Sequence, residues 1–209
     1  MKRLFIIALI FMILTGCSRK TDDFLIYQKC LDYFNNTNNY TIEEDINGKK
    51  SLYIFTDNTC YMKDDENEIY VTKEGDDLFI IAYDEEYKIF VKEKIDYDEH
   101  YLFPYKQLER LEKVSGYINN GSLKYKNNKF IGNNLKGKYL YDDEIHVPSE
   151  IQIELDDDKI TKFSEIYSNN NENKEDTMLI YDYGISRIVL PLNIVNLEDI
   201  EKYTEDIDY

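Results

Sequence analysis

Three cysteines, two histidines and a surplus of carboxylates are the residues from which this chain could build chemistry. His100 and His146 stand in separate segments, and neither has a cysteine or second histidine at zinc-ligand spacing. The acidic clusters at residues 64–68, 142–144 and 156–158 lack the Asp-x-Asp-x-Asp-Gly order that folds a loop around calcium. They read as solvated hairpin tips. There is no glycine-rich phosphate loop, no Gly-x-Ser-x-Gly and no His-Glu-x-x-His. Carboxylates are so numerous that no pair stands out as a general acid and base. The 20 tyrosines fall mostly at strand positions, where they are good β residues. The expectation is a protein that is not an enzyme and uses no metal and no cofactor.

Cys17 is the exception among these groups. Lys2 and Arg3 precede an unbroken apolar run from Leu4 to Leu14, and then come Thr15, Gly16 and Cys17. The run falls short of the roughly 20 apolar residues that cross a bilayer, so it reads as an export signal. Leu14-Thr15-Gly16-Cys17 resembles the bacterial lipoprotein signal, in which the cysteine thiol is diacylglycerylated and the peptide is cut before it. The resemblance implies a signal peptide over residues 1–16 and a tether over 17–23. It also implies a membrane partner, reached through the N-terminal lipid at the outer, extracytoplasmic face of the cell membrane. Two acyl chains suffice for stable anchoring, where one does not.

The 209-residue chain carries a formal charge of -17. Such a body repels phosphate backbones, which argues against nucleic acid as a partner. Residues 24–209 suit a single domain with a substantial core, here expected to be a monomer. Cys30 and Cys60 could bridge in an exported protein, but a core of this size needs no staple, and two buried thiols are favoured.

The elements follow from periodicity. Phe24, Tyr27, Leu31 and Phe34 recur at helical spacing, with Cys30 beside them, which predicts a helix over 24–35. From residue 40 the period becomes two. Runs at 40–46, 51–56, 59–63, 68–72, 78–83 and 87–92 alternate with short acidic turns, the pattern of an antiparallel meander. The run 78–83 is apolar on both faces, so something must cover each side there. Pro104 opens a second helix that Gly116 is expected to end. Strands then resume at 122–125, 136–141, 149–155, 159–167, 176–181 and 186–190. A polar loop is expected over 169–174 and a short helix over 197–203.

This order, closing on Tyr181-Asp182-Tyr183-Gly184 and Ile188-Val189-Leu190-Pro191, resembles the LolA-like and LppX-like superfamily of lipoprotein carriers. The resemblance implies an α+β, mainly β fold. Its curved antiparallel sheet is an open half-barrel, with an N-terminal helix and a mid-chain helical insertion covering one face. It also implies a ligand of lipid-like character, held without catalysis. Phe24, Tyr27, Leu31 and Phe34 on the helix, with Ile80 and Ile81 on the two-faced strand, are the expected binding residues. The other reading is a cell-envelope interaction or sensor module with a packed interior, whose partner is an envelope protein.

Overall fold

The computed structural model describes residues 22–96, 102–141, 144–169 and 172–200. Cys17 and the expected signal peptide lie outside them, as do His100 and the end of the helix expected at 197–203.

Helix α1 (Asp22–Asn36) carries Asp22 and Asp23 in its first turn, where negative charge suits the helix dipole. Six strands follow as a meander: β1 (Tyr40–Ile46), β2 (Lys49–Phe55), β3 (Thr59–Lys63), β4 (Glu68–Glu74), β5 (Asp77–Asp84) and β6 (Ile89–Ile95). The turn from β1 to β2 is Asn47-Gly48, both with positive φ (55° and 83°), which these two residue types tolerate best. Helix α2 (Tyr105–Asn119) interrupts the strands. Then come β7 (Lys124–Lys126), β8 (Lys129–Asn133), β9 (Tyr139–Tyr141), β10 (Glu144–His146), β11 (Glu150–Asp156), β12 (Lys159–Asn169), β13 (Glu172–Tyr181) and β14 (Ile194–Asn196). A 3-10 turn, Leu197–Asp199, opens the stretch where a last helix was expected, and residues 201–203 of that stretch lie outside the described residues.

Twelve of these strands form one curved, unclosed sheet in the order β14-β6-β5-β4-β3-β2-β1-β13-β12-β11-β8-β7. All pairs are antiparallel except β14 with β6, which is parallel and makes the sheet mixed. Among the described residues the fold is mainly β with two α-helices, as the sequence pattern implied. Strand β9 pairs with β10 in a separate hairpin.

Both helices share one face of the sheet. The register places Ile42, Phe163, Met178, Ile180, Ile151 and Ile153 on that inner face, all no more than 1% exposed. They pack with Tyr27, Cys30 and Phe34 of α1 and Leu111, Val114 and Ile118 of α2 into one core. Burying a side chain of this size contributes about 1.5–3 kcal/mol.

Several elements differ from expectation. Helix α2 runs three residues past Gly116, because Tyr117 and Ile118 are drawn into the core and their burial outweighs the ~1 kcal/mol helix penalty of one glycine. Of the loop expected over 169–174, the described residues 169 and 172–174 are in the ladder: Asn169 pairs with Glu172, Ser168 with Asn173 and Tyr167 with Lys174, since backbone pairing does not require apolar side chains. Residues 186–190 are not a strand. Asp182 and Gly184 take positive φ, and the Asn39 side chain bonds both the N–H and the C=O of Ser186, so the chain leaves the sheet. Strands β8, β10 and β14 had no expected counterpart, because each is only three to five residues long and too short to show an alternation.

Candidate functional site

The inner face carries charge as well as core. Glu44 on β1, Asp176 on β13 and Glu165 on β12 all occupy inward positions on adjacent strands. Arg110 of α2 descends on them. Its Nη2 donates to Glu165 Oε1 at 2.8 Å and to Asp176 Oδ2 at 2.9 Å, and all three side chains are fully buried. Tyr139, from the β9–β10 hairpin, donates its hydroxyl to Glu165 Oε2. Tyr167 donates to Asp176 Oδ1 at 3.0 Å, and the Asn47 N–H donates to the same oxygen at 3.1 Å. The guanidinium also lies over the Phe163 ring, 4.9 Å from its centroid. Burial alone would disfavour its charge, but Glu165, Tyr139 and Asp176 together hold its pKa above the ordinary value.

One turn earlier on α2, Gln107 Nε2 donates to Glu44 Oε2 at 3.0 Å. Burial pushes the Glu44 carboxyl above its usual range, against the opposing effects of Gln107 and Arg110. Gln107 and Arg110 therefore fasten the N-terminal half of α2 to the sheet through polar contacts, while Leu111, Val114 and Ile118 fasten the rest through apolar ones.

Beside this fastening the inner face opens. A half-open groove of about 450 Å³ lies between β2–β3 and the start of α2. Tyr53, Phe55, Cys60 and Met62 line it from the sheet, and Phe103, Pro104, Tyr105, Lys106 and Gln107 form the facing wall. Its volume falls within the range of about 300–1,000 Å³ typical of small-molecule sites. The lining is mostly apolar, with Lys106 and Gln107 as polar side chains at one wall. Burial pushes the Tyr53 hydroxyl and the Cys60 thiol each up to about 12, so both are neutral near pH 7. Cys60 is thus part of an apolar surface and not a nucleophile. Cys30 is likewise free and buried, on the core face of α1.

The residues expected to bind a ligand are distributed differently. Tyr27 is fully buried: its hydroxyl donates to the Leu111 carbonyl at 2.8 Å, and its ring meets Phe130 edge-on at 5.4 Å. Phe34 stacks on Tyr40, 4.9 Å between centroids. Phe24 and Leu31 are half-buried against the same core. These four therefore plug the helix-covered half of the sheet. Ile80 lies on the inner face in the row Cys60–Val71–Ile80, two strands from the groove. Ile81 faces the other way, between Tyr70 and Lys92 on the outer face, and is 1% exposed. The two-faced strand is thus buried on both sides at Leu78 and Ile81, but neither residue joins the core cluster into which α1 packs.

The buried charges had signals of their own. In β1, β12 and β13 a carboxylate stands in the apolar phase of the alternation: Ile42-x-Glu44, Phe163-x-Glu165 and Asp176-x-Met178. In α2, Gln107 and Arg110 share a face with Leu111 and Val114. A charged residue at an inward position is a polar group that must find a partner. The acidic tips behave as the sequence implied where they are described. Asp64 Oδ1 accepts from the Glu66 and Asn67 N–H groups, which hold its carboxyl below the usual value.

The fold and this geometry define a mainly β protein whose large curved sheet is plugged by helices over part of its inner face and grooved beside them. Comparison with models of known protein families and with curated proteins gave no match.

Proposed function

We propose that this protein is a lipoprotein, anchored through Cys17 at the outer face of the cell membrane, that binds the apolar part of an amphiphilic ligand without catalysis. The carrying observation is the half-open apolar groove of Tyr53, Phe55, Cys60, Met62 and Phe103 at the edge of the helix plug. An open curved sheet with helices on one face is also the arrangement that the lipoprotein-carrier resemblance implies. The anchor reading rests on Leu14-Thr15-Gly16-Cys17 after the apolar run. Among the described residues no helix is long and apolar enough to cross a membrane.

Two experiments test the two halves of this reading. Cys17→Ala should leave an unprocessed precursor and abolish acyl labelling; normal processing and labelling of the variant would remove the anchor. Met62→Trp should fill the groove, leaving the melting temperature within a few degrees of wild type while lowering the binding of an environment-sensitive apolar dye. If the variant binds the dye as wild type does, the groove is not the site.

A second reading has its own observation. Ile185, Val189 and Leu192, on the irregular segment after β13, are 70%, 84% and 87% exposed. An envelope-protein partner seated there would make the chain an interaction module. Replacing all three by serine would then abolish partner capture and leave dye binding intact.

A further inference from the structure

A polar cleft of about 260 Å³ stands against the apolar groove, and Phe103 and Tyr105 line both, so the two spaces share one wall. The backbone joins them as well. Strands β2 and β3 of the groove are linked through Thr56, Asp57 and Asn58. Phe55 on one side of that turn and Cys60 on the other line the groove, while Asp57 and Asn58 within it line the cleft. Asn38, just before β1, lines the cleft too.

The turn is held by its backbone and not by its side chains. The Thr56 N–H donates to the Thr59 C=O at 2.9 Å, and the Lys73 N–H of β4 donates to the Asn58 C=O at 2.8 Å. Asn38, Asp57 and Asn58 are exposed, and among the described residues their side chains have no hydrogen-bond partner. Lys73 also lines the cleft but is engaged in an interaction of its own, so selectivity rests on the other three.

Their chemistry favours one kind of head group. A carboxylate only accepts hydrogen bonds, whereas an amide both donates and accepts. A hydroxyl-bearing head suits all three: it donates to Asp57 and exchanges bonds with the amides of Asn38 and Asn58. The rings of Phe103 and Tyr105, packed edge-on at 4.9 Å, give its C–H groups an apolar wall. A sulfate or phosphate head would meet like charge at Asp57. A quaternary ammonium would find Asp57 but could bond neither amide.

We infer that the groove takes an amphiphile with an uncharged, hydroxyl-bearing head, a sugar or a glycerol. The head sits among Asn38, Asp57 and Asn58, and the alkyl chain runs along Phe55, Cys60, Tyr53 and Met62. This rests on the groove being the binding site. The cleft selects the head, and the apolar lining takes the chain whatever head it carries.

The test compares octyl glucoside, 1-octanoylglycerol, octanol, octyl sulfate and octyltrimethylammonium. Each is added below its micellar concentration to the full chain in lipid nanodiscs and read by native mass spectrometry. The proteins are wild type and the double variant Asp57→Ala/Asn58→Ala; neither position has a positive φ, so alanine suits the turn. In wild type the glucoside, the glycerol ester or both should bind about tenfold more tightly than octanol, and the tighter of the two identifies the head. In the double variant that advantage should fall to within about twofold, with octanol binding unchanged. Comparing the two proteins in the same nanodiscs cancels the partition of each probe into the bilayer. If neither hydroxyl-bearing probe outbinds octanol in wild type, or if either charged probe binds as tightly as they do, the inference is overturned even where the variant does not fold. An advantage that survives in the double variant also overturns it. In each of these cases bound octanol leaves the groove standing. If no probe binds wild type, the groove reading falls, and this inference with it.

Discussion

On β12 and β13 the inward residues Phe163, Met178 and Ile180 are at most 1% exposed, whereas Met62 on β3 and Ile69 on β4, in the same alternation of the same sheet, are only half-buried. The strands do not differ in kind, so the difference lies in what covers them. Twelve strands about 4.8 Å apart extend about 50 Å. Two 15-residue helices are each ~22 Å long and, side by side, ~20 Å wide, so they leave a large part of that uncovered. Where α2 begins, the covering stops and the groove starts. The lesson is that one uninterrupted apolar face can serve as core and as binding surface, according to where the helices end.

The comparison can be broken most forcefully at its hinge. Arg110→Met would leave Glu165 and Asp176 buried without their cation. It should cost about 3–5 kcal/mol in urea unfolding, whereas adding Glu165→Gln and Asp176→Asn should recover much of the loss. A single variant as stable as wild type would mean that α2 is held by its apolar face alone.

Truncating the same side chain in each half sharpens the contrast. Met178→Ala should cost about 2–5 kcal/mol, as a cavity in a closed core does. Met62→Ala, at the groove, should cost no more than about 1 kcal/mol. Equal costs would mean that the two halves are packed alike.

The smallest effect is expected at Glu44, where the two regions meet. Its folded-state pKa is raised above the ordinary 4.5, so the folded state holds the proton more tightly than the unfolded chain. Its contribution to stability is therefore fully present below pH 4.5 and is lost as pH rises through the raised value. Glu44→Gln should remove that decline, making the variant at least as stable as wild type at pH 7 and flattening its unfolding profile above pH 4.5. The check is urea unfolding from pH 4 to pH 8; a variant whose profile parallels wild type would remove Glu44 as the source.

Much of the fold was legible because local rules govern it. The meander from β1 to β6 follows from two-residue alternation broken by Asn-Gly and acidic turns. Strands β1 and β3 have the bounds that the alternation alone predicts. Helix α1 follows from Phe24, Tyr27, Leu31 and Phe34. The site was less legible. Tyr53, Phe55, Cys60 and Met62 look like any inward strand residues, and Phe103 like any loop aromatic. Whether they border a groove depends on how far α2 reaches, which no window of sequence contains.

The sequence by itself determined the element types, the shared apolar face and the absence of a recognisable catalytic motif, because periodicity and turn chemistry act within a few residues. Tertiary structure decided which apolar residues became core and which became groove. It also brought Glu44, Arg110, Glu165 and Asp176 from four separate elements into one buried cluster. Those outcomes rest on contacts between residues 55 to 66 positions apart, such as Arg110 with Glu165 and Asp176, whose geometry exists only once the sheet has curved and α2 has docked upon it.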